Sequence, residues 1–176
     1  MKKLFIPALL AALIVGCSST PVDETSGAPV ESRTGVTPVT AGGLDARGLP
    51  RELSDPKSVL SQRSIYFDLD KYDVKDEYRD LVAAHAKYLV AHRDFKVLIQ
   101  GNTDERGSRE YNLSLGQKRS DAVKRSLTVL GAREDQVESV SLGEEKPKNP
   151  GHDELAWSEN RRADILYRAP DGRGEF

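Results

Sequence analysis

"GNTDERGSREYNLSLGQKR", Gly101 to Arg119, is the stretch on which the fold turns. It leaves the β-forming run "FKVLIQG", crosses a polar loop and enters a segment whose apolar residues recur at helical spacing. Leu115, Ala122, Val123, Leu127 and Leu130 fall on one face. The spacing predicts a helix over roughly Asn112 to Leu130, ended by Gly131. Six charged residues precede Arg119, and Arg119 itself projects from the middle of the apolar stripe. Leu or Ala is expected there. A guanidinium on an inward face is costly unless it is paired or reaches water.

The same pattern extends outward. "SIYFDL", Ser64 to Leu69, reads as a strand with Ile65, Phe67 and Leu69 on one face. Asp68 to Asp73 reads as a turn. Val74, Tyr78, Leu81, Val82, His85, Tyr88 and Leu89 mark a first long helix. Beyond Gly131, "QVESVSLG" reads as a strand, "HDELAWSENR" as a short helix or turn, and "RADILYR" as a last strand. The order β-α-β-α-β-(short α)-β predicts an α+β two-layer sandwich. Two long helices pack on a small mixed four-stranded sheet within residues 58–169, and 170–176 form a loose tail.

The chain has 176 residues, a net charge of -2 and 38% hydrophobic residues. This balance offers no basic face for nucleic acid and leaves part of the chain outside any core. Met1-Lys2-Lys3 followed by the apolar run Leu4 to Val15 has the pattern of an export signal over residues 1–16. That run is shorter than the about 20 residues a bilayer core requires. Cys17 is the only cysteine, so no internal disulfide forms. Ile14-Val15-Gly16-Cys17 resembles a bacterial lipobox. The resemblance implies cleavage before Cys17 and its acylation, with Ser18 favouring the outer membrane. Half of the 40 residues from Ser18 to Lys57 are Ser, Thr, Gly or Pro and none is aromatic, so residues 17–57 read as a lipidated cysteine and flexible linker.

Arg119 has two readings. In one it snorkels or forms a buried ion pair. In the other it floors a pocket, where its planar fork suits a carboxylate and an ammonium on the same ligand requires an acid nearby. Asp104 is the first acid of the loop, and Asn112 lies on the Arg119 side of the helix. The bland alternatives are a turn former for Asp104 and a helix cap for Asn112. Other chemistries fit less well. Gly101 and Gly107 lack the Gly-Lys-Ser or G-x-G-x-x-G of a phosphate loop. Asp68, Asp70 and Asp73 open like a calcium loop, but Asp73 and Arg79 stand where Gly and Glu are required. His85, His92 and His152 show no ligand spacing, and His85 fits a satisfied core position. A hydrolase drawing a carboxylate pair from Asp68, Asp104 and Glu105 is the rival class, although no nucleophilic Ser or Cys context accompanies them.

The run "NTDERGSREYNLSLGQKRSDAV" closely resembles the core motif of the outer-membrane-protein-A-like C-terminal domain family. "IYFDLDKYDV", "SLGEEKP" and "GHDELAWSENRRADILY" follow the family pattern in order, so the likeness covers about Ile65 to Tyr167. It implies a non-catalytic domain, without cofactor or metal, that binds the diaminopimelate of the peptidoglycan stem. Carried over by position, Asp104 takes the ammonium and Arg119 the carboxylate. Asn112 and Leu115 line the pocket, Phe67 and Asp68 form its rim, and either Arg161 or Arg162 joins it. Leu69, Ser120 and Leu142 depart mildly from the family pattern. With the lipobox and linker, the resemblance implies an outer-membrane lipoprotein of a Tol envelope system. Its partner is a TolB-like periplasmic protein, for which Glu144 to Pro147 and neighbouring loops are a candidate contact. A motor stator anchor shares this domain, but requires a retained membrane helix.

Overall fold

The computed structural model describes residues 43–176; the export segment, Cys17 and the linker up to residue 42 lie outside the described residues. Four strands form one mixed sheet: β1 (Ser64–Tyr66), β2 (Lys96–Asn102), β3 (Val137–Gly143) and β4 (Arg162–Arg168). Their spatial order is β1-β4-β2-β3. β4 runs antiparallel to both neighbours, with Ile65 opposite Ala163 and Ile99 opposite Ile165. β2 and β3 are parallel, with Val97 opposite Val137. Parallel neighbours need a crossover, which is the helix α2 (Arg109–Val129). The other helices are α1 (Arg79–Ala91) and α3 (Glu154–Asn160). The expected α+β two-layer architecture is present, and "RADILYR" coincides with β4.

The core is built from Ile65, Phe67, Val97, Ile99, Ile165 and Tyr167 on the sheet side. Leu81, Val82, Leu89, Val123 and Leu127 complete it from the helices. α2 lies unusually close to β2. A Cβ placed on Gly101 sits 1.9 Å from the Gly116 carbonyl oxygen, so only glycine fits at this crossing. α2 also begins three residues earlier than the apolar spacing predicts, because the Ser108 hydroxyl accepts the Tyr111 N–H at 3.2 Å and caps it. The cap is therefore Ser108 and not Asn112. Leu130 is half exposed, since α2 ends at Val129 and the chain turns through Gly131 at φ +104°.

Two boundary expectations need correction. Residues 43–57 were expected in the linker, yet Leu49 and Leu53 are fully buried in the main core. The Asp45 carboxylate organises this segment by accepting from the backbone of Leu49 and Arg47 and from Ser54. The polar composition that reads as linker here serves a tight turn. The C-terminal residues 170–176 are not loose either. Gly174 bridges to Arg168, and the Glu175 carboxylate, 11% exposed, takes the Tyr167 N–H at 2.8 Å and Arg63 Nη1 at 2.7 Å. β1 is shorter than expected as well. After Tyr66, Phe67 still turns inward, but its N–H goes to the Arg161 carbonyl at 2.9 Å outside the ladder.

Candidate functional site

The loop between β2 and α2 carries Asp104 against α3 and β4. Its carboxylate is 5% exposed and is surrounded by donors. Oδ1 accepts the Arg106 N–H at 3.1 Å and Arg106 Nε at 3.3 Å; Oδ2 accepts Arg106 Nη2 at 2.7 Å and Arg161 Nη1 at 3.2 Å. Burial works to raise the acid's pKa, but the Arg106 side chain and N–H, followed by Arg161, hold it below the ordinary carboxylate value. Asp104 is therefore a charged acceptor. A general acid requires a raised pKa, so this position is unsuited to that one role.

Of the two arginines the sequence left open, Arg161 is the one in contact with Asp104. Its Nη2 bonds Glu154 at 2.6 Å and its Nε bonds the Phe67 carbonyl at 3.2 Å, so it backs the Asp104 carboxylate. Arg162 pairs with Asp164 at 2.9 Å and reaches the Asn160 and Lys146 carbonyls. Arg106 has a third contact: its guanidinium lies 4.1 Å from the Trp157 ring centre. The Trp157 indole N–H in turn donates to Glu105 at 2.9 Å, and His152 contacts the same carboxylate at 2.8 Å.

Arg119 has no exposed surface. The expected open pocket is closed, and the alternative of a buried ion pair is also absent. Its Nε donates to the Lys71 carbonyl at 2.8 Å, Nη1 to the Asn102 carbonyl at 2.9 Å and Nη2 to the Asp68 carbonyl at 3.2 Å. Its guanidinium lies 5.2 Å from the Phe67 ring centre. Burial pushes its pKa down to about 10, which the field of Asp104 only partly offsets. Dipoles stabilise the cation here, with no carboxylate in ion-pair contact among the described residues.

The remaining predicted residues divide. Leu115 and Asn112 are buried on α2, but the Asn112 amide donates to Glu144 and not toward Asp104. Phe67 lies in the core beneath Arg119, so it is no rim residue. The Asp68 side chain is 69% exposed and paired with Lys75 at 2.7 Å; its carbonyl serves Arg119 instead. Sequence reasoning assigned no role to Arg106, Glu154, Trp157 or Lys71. A sole tryptophan in a charged helix was the one available signal for Trp157. Thr103 Oγ1 and Asn102 Oδ1, beside this cluster, are buried without a partner among the described residues.

The OmpA family model matches residues 66–161. The peptidoglycan-associated lipoprotein of Pasteurella multocida is 41% identical over 95% of this chain and all of its own length. The chain belongs to the peptidoglycan-associated lipoproteins of the OmpA family. The Haemophilus influenzae member is likewise 41% identical, over 95% of this chain and 97% of its own. The crystal structure of the member from Burkholderia pseudomallei is 56% identical. It aligns with a TM-score of 0.65 over 66% of this chain and 99% of that one. The C-terminal domain of Helicobacter pylori MotB, 17% identical, shares the fold with a TM-score of 0.56 over 61% of this chain and 85% of that one. Among the described residues of this OmpA-family chain, no helix is long and apolar enough to cross a membrane.

Proposed function

We propose that the chain is a non-catalytic, lipid-anchored protein of the outer membrane that ties it to peptidoglycan by clasping the diaminopimelate of the peptide stem. The observation that carries this reading is a pair of opposite buried charges: a desolvated Asp104 carboxylate whose field reaches a buried Arg119 guanidinium, which has no carboxylate in ion-pair contact among the described residues. Diaminopimelate carries an ammonium and a carboxylate at one centre. The ammonium takes Asp104, and the carboxylate replaces the Asp68 and Lys71 carbonyls on Arg119 as the 68–71 turn lifts. Asp70, at φ +57° and bonded to the Tyr111 hydroxyl, is the strained point of that turn. Thr103 supplies a further unused hydroxyl.

Kinship with the peptidoglycan-associated lipoproteins supports the wall as ligand. It also supports service in a Tol envelope system during cell division, with a TolB-like periplasmic partner and acylation of Cys17. The test is sedimentation of the soluble chain with purified sacculi, with and without free diaminopimelate. A charge-assisted bond contributes about 1.5–3 kcal/mol, so Asp104→Ala and Arg119→Lys should each weaken retention about tenfold or more with circular dichroism intact. Unaltered retention in both folded variants rejects the clasp.

A further inference from the structure

Asp104 is covered by a residue of its own loop. Arg106 brackets both carboxylate oxygens, while its own side chain remains 33% exposed above a carboxylate only 5% exposed. Two further groups restrain it there. The Trp157 ring lies 4.1 Å from its guanidinium, and Glu154 Oε2 lies 3.6 Å from Nη1. Trp157 is itself fixed through its indole N–H to Glu105. Arg161 approaches Asp104 at 7% exposure and has Glu154 and the Phe67 carbonyl as other acceptors, so it forms the permanent backing of the seat. Arg106 is the member with access to solvent.

We propose that Arg106 is a latch: in the free domain its guanidinium occupies the seat on Asp104 that the ligand's ammonium takes, and Trp157 and Glu154 set how firmly it stays. This rests on the reading that Asp104 receives an ammonium. Binding then exchanges one cation for another, so Asp104 is never left bare and buried. The latched fraction lowers apparent affinity in proportion to its population. A ligand succeeds only if its cation outcompetes a guanidinium that is tethered and already stacked. Arg106 thus discriminates among wall peptides without contacting them in the bound state.

Trp157 is the only tryptophan of the chain, so its emission reports the latch directly. The experiment titrates the soluble chain with the tripeptide alanyl-glutamyl-diaminopimelate, followed by indole fluorescence and by calorimetry. In the wild type, emission changes on binding as the guanidinium leaves the ring. In Arg106→Ala, emission before ligand already sits near the bound value, the ligand-induced change disappears, and binding tightens at least threefold. Trp157→Leu, followed by calorimetry alone, should tighten binding in the same direction by a smaller factor. Equal or weaker binding by folded Arg106→Ala and Trp157→Leu overturns the latch while leaving the clasp standing. Absence of binding by the wild type and both variants overturns the latch and the clasp together.

Discussion

At the scale of single residues, Arg119 and His85 show two ways of burying a polar group. Arg119 keeps its charge and spreads it over three carbonyls from two separate segments. Arg119→Lys retains the charge, but a single ammonium cannot reach all three acceptors in the geometry of the fork. A loss of about 1–3 kcal/mol is expected, measured by urea titration. His85 instead stays neutral. It is fully buried between the Tyr167 hydroxyl at 2.9 Å and the Gln62 carbonyl at 2.8 Å, and burial pushes its pKa from 6.5 down to about 4. The unfolded chain therefore takes up a proton that the folded chain refuses. This contribution is complete above pH 6.5 and declines as pH falls toward 4, by roughly 3 kcal/mol in all. His85→Gln should flatten the stability profile across that window in chemical denaturation. Both positions were legible as inward-facing from helical spacing alone. Their partners were not, because the acceptors are main-chain carbonyls distant in sequence, and the Tyr167 hydroxyl reaches His85 only once the last strand is in place.

At the scale of elements, the crossing of α2 over β2 is set by the absence of side chains. Gly101→Ala drives a methyl into the Gly116 carbonyl, both of them backbone-bound, so neither side has a rotamer to yield. Destabilisation of about 3 kcal/mol or more is expected, read as a lowered melting temperature. Gln136 serves as a second joint. Its amide nitrogen reaches the carbonyls of Leu89, His92 and Phe95 at 3.0–3.2 Å, stitching the end of α1 to the start of β2. Gln136→Leu removes the side-chain donor from the buried Leu89 and Phe95 carbonyls, leaving His92 only its Phe95 N–H, and should lose about 2–4 kcal/mol in urea titration. Periodicity located both long helices and the four strands, since alternation and helical spacing are local properties. It misjudged residues 43–57, where the informative residues Leu49 and Leu53 are only two and stand among turn formers. It also missed the latch, because Arg106, Trp157 and Glu154 converge only after α3 returns across the β2–α2 loop.

At the scale of the molecule, the first and last described segments are joined. Arg47 and Arg63 share the Glu175 carboxylate, which also receives the Tyr167 N–H. Removing residues 171–176 strips both guanidiniums of this partner and uncaps the end of β4. A loss of about 2–3 kcal/mol is expected, checked by thermal melting of the truncated chain. The chain preceding residue 43 enters the domain through the same junction, whose Leu44–Pro50 bridge encloses the Asp45 turn. A pull applied to the chain ahead of residue 43 is thus met first by an ionic buckle and two buried leucines. Strain of that kind would be spent in unfastening the entry segment before it reached the carboxylate seat, so the proposed clasp would keep its hold while the load is absorbed upstream.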